Sequence, residues 1–261
     1  MTQPKLTYFL DALCGWCYGF SPIITRIHRE YKNEINFDVV SCALFLSNWE
    51  GMLEESGSVL ELNYVHPELG MSSFQVGLIK PAGNANDVAP HILAGGHQKL
   101  AAATGMKIGE PFLDAVRKNR MTLNSLYPAM AIRIVKEIHP HTAIEAAQAL
   151  MHAIYQEGLN SADVPAYASY AAKMGIDQQE FIDKMNDPAY KAKAMDEFER
   201  YRASQVHGFP SLLLEKDGEE RVVVNGFGPR SMTETVDPAD RFPTAKAADT
   251  IIARLDAMLR D

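Results

Sequence analysis

Leu6-Thr7-Tyr8-Phe9-Leu10-Asp11-Ala12-Leu13-Cys14-Gly15-Trp16-Cys17 is the stretch whose reading decides the fold. Its first five residues are apolar, aromatic or β-branched, the composition of a short buried strand. After the cysteines, Ile23, Ile24, Ile27 and Tyr31 recur at helical spacing, which predicts a helix from about Gly15 to Tyr31. Ile35-Asn36-Phe37-Asp38-Val39-Val40 reads as a second strand ending near Cys42. A helix joining two strands is a βαβ unit, so the strands are expected to be parallel.

The position of the C-x-x-C pair gives it chemical meaning. Cys14 falls just before a helix N-terminus, where unpaired N–H groups and the helix dipole favour an anion, here a thiolate. Cys17 lies one turn on, on the same face. Cys14 can then attack a disulfide, and Cys17 can resolve the mixed disulfide that results. Three other readings compete. A structural disulfide closing so short a loop removes little chain entropy. Zinc usually takes a second C-x-x-C or paired histidines, and the sequence offers no recognisable set. Haem attachment needs His directly after the second cysteine, where Tyr18 stands. The redox pair is the stronger reading, with no metal and no cofactor expected beyond the cysteines themselves.

Further along, Asn48 to Asn86 has scattered Gly, Ser, Asn and Pro without a clean period and reads as loop and short helices. From Asp87 to Val206 the pattern is helical almost throughout. Thr142 with Glu145 reads as a capping box, and Gly158 as the end of that helix. Val164-Pro165 opens another helix, closed by Gly175, and Asp177 with Glu180 caps the next. Asp187-Pro188 opens the last and longest, to about Gln205. Tyr155, Met151, Ile154 and Ala147 share a helical face at core spacing. Two strands follow, Ser211 to Glu215 and Arg221 to Asn225, around the hairpin signal Asp217-Gly218. Phe242-Pro243 leads into a final helix with Ile251, Ile252, Leu255 and Leu259 on one face. The order is β-α-β, many helices, then α-β-β-α, which assigns 1–45 and 187–261 to one domain and 46–186 to an inserted helical one.

The 261 residues can bury a substantial core, and 47% hydrophobic with 22% charged is ordinary globular usage. A formal net charge of −8 argues against nonspecific binding to nucleic acid or anionic membrane. No window approaches the ~18 unbroken apolar residues of a membrane helix. Met1 to Lys5 runs straight into the first strand without the parts of a secretory leader, so a cytoplasmic location is expected. Three cysteines do not make a disulfide-stapled scaffold, and in a reducing cytoplasm a disulfide is more often catalytic than structural.

At this point the sequence resembles the thioredoxin superfamily, and within it the DsbA-like, FrnE-like group with a helical insertion. The resemblance rests on Cys14-Gly15-Trp16-Cys17 at a strand–helix junction, on Pro22 five residues after Cys17, and on Gly208-Phe209-Pro210 directly before a strand. It rests also on the helical block between the two β-containing halves, including Tyr155 to Gly158 and Ala171 to Gly175. It implies an α/β thioredoxin fold with a large α-helical insertion, and disulfide oxidoreductase or isomerase activity. It further implies that Pro210 is cis, that the Phe209 backbone stands beside Cys14 where a substrate segment could pair, and that this proline discourages metal binding. The Gly-Trp dipeptide and the bulky Phe209 depart from commoner family patterns at positions that tune redox poise and substrate choice.

Other residues have two readings each. Cys42 reads as a small buried hydrophobe. Asp11 is either a capping group and proton acceptor for Cys17 or a solvated loop carboxylate. His207 either lies near the thiolate or is a surface histidine at a helix end. Trp16 and Tyr18 are expected to form an exposed apolar rim. Expected partners are a disulfide-containing protein or a small thiol, glutathione included, with no nucleic acid and no membrane, for a monomer or homodimer. Two alternatives remain: a glutathione-dependent transferase or isomerase of the kappa-like group, whose members typically carry Ser at the Cys14 position, and a non-catalytic adaptor on the same fold.

Overall fold

Along β1 (Lys5–Leu10), side chains alternate between the two faces of a sheet, and both faces are apolar. Leu6, Tyr8 and Leu10 enter the main core with Ile23, Ile24 and Ile27 of α1 (Gly15–Tyr31). Phe9 enters a smaller cluster with Val40, Cys42, Val206 and Leu213. The protein is seen here in a computed structural model that describes residues 3–46, 80–81, 83–84, 92–226 and 244–260. The irregular stretch read between Asn48 and Asn86, and Phe242-Pro243, lie outside the described residues apart from 80–81 and 83–84.

β2 (Asn36–Ser41) runs parallel to β1, from Lys5 opposite Asn36 to Leu10 opposite Ser41. The Ile35 amide still bonds to Tyr31 at the end of α1, so the strand begins one residue later than its apolar pattern. Short bridges follow, β3 (Phe45–Leu46) with β4 (Lys80–Pro81), and β5 (Gly83–Asn84) with β6 (Thr122–Leu123). The helical block comprises α2 (His97–Thr104), α3 (Glu110–Arg117), α4 (Leu126–Ile138), α5 (Ala143–Tyr155), α6 (Tyr167–Lys173), α7 (Gln178–Asn186) and α8 (Pro188–Arg202). β7 (Ser211–Lys216) then pairs antiparallel with β1, and β8 (Glu219–Asn225) with β7, giving the order β2-β1-β7-β8. The β7–β8 turn uses Asp217 and Gly218 at φ 53° and 84°, the positive angles that such a hairpin requires. The final helix, α9 (Thr244–Arg260), packs on α1, with Leu255 buried and the Tyr31 hydroxyl donating to Asp256. This is an α/β thioredoxin fold, β-α-β and β-β-α halves, with helices inserted between them.

Most helix signals read from the sequence are in place. Asp177 accepts the Glu180 amide at 2.9 Å, and Asp187 accepts the Ala189 amide at 2.8 Å. Gly158 and Gly175 take positive φ after their helices. The capping box at Thr142 does not form. Its hydroxyl turns back to the His139 carbonyl at 2.9 Å, and Glu145 faces His28 at 3.2 Å. α8 stops at Arg202 rather than near Gln205, where the Ser204 hydroxyl takes the Tyr201 carbonyl at 2.6 Å.

A buried polar staple fixes α4 and α8 to β2. Lys136 of α4 meets Glu197 of α8 and Asp38 of β2, each at 2.8 Å, and donates to the Val39 carbonyl. Glu197, 1% exposed, also accepts the Ser41 amide at 3.0 Å. Burial alone would raise the Asp38 pKa, but Lys136 and Arg200 outweigh it and hold the group at about 2.

Candidate active site

The chain leaves the C-terminal end of β1 through a tight loop that the Asp11 side chain organises. Its Oδ1 accepts the Leu13 amide at 2.7 Å, and its backbone carbonyl accepts the Cys14 amide at 3.0 Å. Cys14 therefore leaves the loop in an extended conformation, φ −85° and ψ 113°, and becomes the N-cap of α1. Its carbonyl takes the Tyr18 amide at 3.1 Å, while its sulfur makes no capping bond, and the first turn carries no acidic side chain. The nucleophile candidate thus stands where the helix presents unpaired N–H groups.

Cys17 sits one turn in, fully buried, and is electrostatically coupled to Cys14. Burial, then Cys14 itself, pushes the Cys17 pKa well up, against a smaller opposing effect of the Asp11 backbone. Cys17 is therefore held as the protonated partner of the pair. Cys14 is 7% exposed. Helix α2 covers the pair from one side. A Cβ on Gly15 would lie 3.7 Å from Leu100, and one on Gly19 would lie 2.8 Å from Thr104. Gly19 lets α2 approach α1 closely, while the 3.7 Å at Gly15 is an ordinary van der Waals contact.

Asp11 is 1% exposed, which removes the solvated-loop reading. Its Oδ2 accepts the Leu44 amide at 2.5 Å, and the next residue is tied to Ser125 at the head of α4, whose Oγ accepts the Phe45 amide at 2.9 Å. Burial raises the Asp11 pKa to about 6 in spite of these bonds. Ser125 escaped the sequence reading. Its signal was a Ser directly before the apolar run of α4, an ordinary N-cap pattern that does not announce a role elsewhere.

The Phe209–Pro210 peptide is cis. Ser211 pairs with Phe9 across β7 and β1, so Pro210 stands at the sheet end from which the Cys14 loop departs. The Ser211 hydroxyl donates to the Gly208 carbonyl at 2.8 Å and accepts the Gly226 amide at 2.9 Å, closing the loop on itself. Phe209 packs edge-on against Tyr201, with 5.9 Å between centroids, and Tyr201 lies 6.0 Å from Phe9. His207 is exposed, with its backbone N–H on Asn225 Oδ1 at 2.9 Å, and no described contact brings its ring to the thiols.

The expected aromatic rim is only half present. Trp16 is partly buried against the core. Tyr18 is buried: its ring stacks on Tyr155 at 4.8 Å, its hydroxyl donates to the Lys107 carbonyl at 3.1 Å, and Gln156 donates to it at 2.5 Å. It is a strut to the inserted helices. Cys42 is buried in the smaller cluster, as a small hydrophobe would be. Among the described residues, no three His, Cys, Asp or Glu side chains gather as a metal site.

A thioredoxin-type sheet with a C-x-x-C at the first helix and a cis-proline loop beside it defines the class. The family model described as DSBA-like thioredoxin domain matches residues 98–237. The chain belongs to that family. The matched stretch starts beyond Cys14 and Cys17, so it bears on the frame and the Phe209–Pro210 loop. No match was found among curated protein sequences. A putative protein disulfide isomerase from Nitrosomonas europaea superposes with TM-score 0.67 at 18% identity, over 99% of this chain and 98% of its own. The cytosolic disulfide reductase DsbM from Pseudomonas aeruginosa with GSH gives 0.59 at 20%, over 98% and 100%. A 2-hydroxychromene-2-carboxylate isomerase gives 0.54 at 14%, over 98% of both chains. At these identities the likeness is one of fold.

Proposed function

We propose that the protein is a thiol–disulfide oxidoreductase working through Cys14 and Cys17. The observation that carries this reading is the asymmetry of the pair: Cys14 at the N-cap of α1, and Cys17 buried and held protonated against it. The Cys14 thiolate attacks a substrate disulfide, forming a mixed disulfide and releasing one substrate thiolate. Cys17 then gives its proton to the Asp11 carboxylate, attacks the Cys14 sulfur and releases the second thiolate. The substrate gains two electrons, and the pair ends as a Cys14–Cys17 disulfide. A small thiol such as glutathione returns the electrons, a role in keeping with the GSH-bound neighbour. Gly15, Trp16, Phe209 and Pro210 form the surface on which a substrate segment lies, with His207 at its edge. In this reading 1–45 and 187–261 form the thioredoxin-fold domain, 46–186 the inserted helical one, and the protein works in the cytoplasm. Among the described residues, no helix is long and apolar enough to cross a membrane.

The test equilibrates the protein in glutathione buffers of graded potential and reads the pair by intact mass. A reversible two-proton mass change supports the reading. A midpoint near thioredoxin's, around −270 mV, points to a reductase, and one nearer about −120 mV to an oxidase or isomerase. A pair that never closes would sink it and favour the adaptor alternative.

A further inference from the structure

Cys14 is the attacking group in the reading above, yet only 7% of it is exposed, and Cys17 is wholly buried. Part of the cover is α2. Its Leu100 is buried and lies 3.7 Å from the position of a Cβ on Gly15, the residue after Cys14. One turn further along α1, Thr104 lies 2.8 Å from the position of a Cβ on Gly19, and its hydroxyl donates to the Leu100 carbonyl at 2.8 Å. The helix is fastened at both ends. At its head, His97 Nδ1 bonds with the Ile92 carbonyl at 2.8 Å. At its tail, the Thr104 hydroxyl accepts the Met106 amide at 3.1 Å. The Lys107 carbonyl then takes the Tyr18 hydroxyl at 3.1 Å and the Gln156 side-chain amide. Tyr18 belongs to α1 and directly follows Cys17, so α2 is tied to the helix that carries the cysteines.

A disulfide must meet the Cys14 sulfur end-on, along its own S–S axis. In a folded protein the two Cα atoms of a disulfide stand about 4.4–6.8 Å apart, so two chains flank the bond and arrive with it. Those chains need the space that Leu100 fills. A small, freely rotating disulfide brings no such flanks.

We propose that α2 is a fixed roof that selects substrate by size: Cys14 exchanges with low-molecular-weight disulfides, of the size of glutathione disulfide, and is closed to the disulfides of folded proteins, with Leu100 setting the limit. This names a substrate class for the oxidoreductase reading above and rests on it. The Cys14–Cys17 dithiol is oxidised to the disulfide, while glutathione disulfide takes up two electrons and two protons and leaves as two thiols. A larger partner reaches Cys14 only when α2 lifts. Lifting it exposes Leu100 to water, which holds the open form to about a tenth of molecules or less.

The test labels the reduced full chain with two reagents of equal chemistry, N-ethylmaleimide and a maleimide carrying a long polyethylene glycol chain. Cys14→Ser identifies the labelled thiol. In the native parent the ratio of small-reagent to large-reagent rates should exceed the ratio in urea by about tenfold or more. Leu100→Ala should bring the ratio back toward the urea value, while Leu100→Met, which keeps the volume, should hold it. In parallel, read by intact mass, glutathione disulfide should close the pair at least about tenfold faster than insulin does, and that preference should shrink in Leu100→Ala. A native ratio equal to that in urea overturns the inference, as does a ratio unmoved by Leu100→Ala or insulin reacting as fast as glutathione disulfide. Should Leu100→Ala not fold, the parent's maleimide ratio and its choice between the two disulfides still decide. A pair that closes with neither disulfide overturns the oxidoreductase reading itself, and the maleimide ratio then still reports on the roof.

Discussion

The Asp11 carboxylate and the Leu44 backbone amide meet at 2.5 Å across 33 residues of chain. That bond joins the loop before Cys14 to the segment leaving β2, with the Leu13 amide on the same carboxylate. A carboxylate whose bonded donors are neutral backbone amides is costly to ionise when buried. It would be an odd choice for stability alone, since a protein gains nothing by burying a half-compensated charge.

That cost gives the first prediction. The folded Asp11 pKa, about 6, lies above the ordinary 3.8, so its contribution to stability is complete below about pH 4 and lost as pH rises through about 6. Relative to Asp11→Asn, the parent should lose up to roughly 3 kcal/mol between pH 4 and pH 8. Urea unfolding of both proteins across that range checks it. A difference that stays constant, or grows in the parent's favour toward pH 8, rules the raised pKa out. In the same variant, resolution by Cys17 should slow and lose its inflection near pH 6.

Separating the two cysteines gives the second. Cys17→Ser, treated with glutathione disulfide, should stop as a stable Cys14–glutathione adduct visible by intact mass. Cys14→Ser should form no adduct at Cys17, because that thiol is buried and protonated. Equal labelling of both variants would contradict the assigned roles.

The sequence placed β1, α1 and β2 to within a residue or so, because strand and helix periods are strong there and the cysteines sit at their junction. The Phe209–Pro210 loop was legible only through the family resemblance, since an X–Pro pair alone does not reveal its isomer. What stayed hidden was decided by long-range packing. Tyr18 was read as rim and is a strut, because Lys107 and Gln156 reach it from residues 89 and 138 positions away. Asp11 had an equal chance of being solvated until the Leu13 and Leu44 amides closed on it. Thr142 and Glu145 had the capping pattern, but His28 on α1 competed for the glutamate.

Gly19 supplies the third prediction. Its missing Cβ would stand 2.8 Å from Thr104 Cγ2 and 3.0 Å from Leu100 Cδ1. Thr104 cannot easily turn aside, since its hydroxyl is bonded to the Leu100 carbonyl at 2.8 Å. Gly19→Ala gains up to about 1 kcal/mol of helix propensity but loses about 1–3 kcal/mol to overpacking, so it should be net destabilising. Because α2 must retreat from Gly15 as well, iodoacetamide should alkylate Cys14 faster. Unchanged alkylation with lowered stability would mean that α2 is not what shields the pair.

The staple under β2 yields the last. Lys136 and Glu197 are both largely buried, and Glu197 spends its other oxygen on the Ser41 amide. Lys136→Met removes the nearer cation from two carboxylates at once, leaving buried Glu197 with only Arg133 at 3.9 Å and Asp38 with only Arg200 and Lys5 of the cations around it. The expected cost is about 3–5 kcal/mol at pH 7. Since the depressed Asp38 pKa contributes stability above about 4 that disappears as pH falls toward about 2, the gap between parent and variant should narrow in that window. Replacing both partners, Lys136→Met with Glu197→Leu, should recover most of the loss, because the desolvation cost goes with the charges. Urea titrations of the parent, the two single variants and the double variant at pH 7 and pH 3 give the whole cycle. A double variant no more stable than Lys136→Met would show that the Ser41 bond, rather than the ion pair, is what Glu197 contributes.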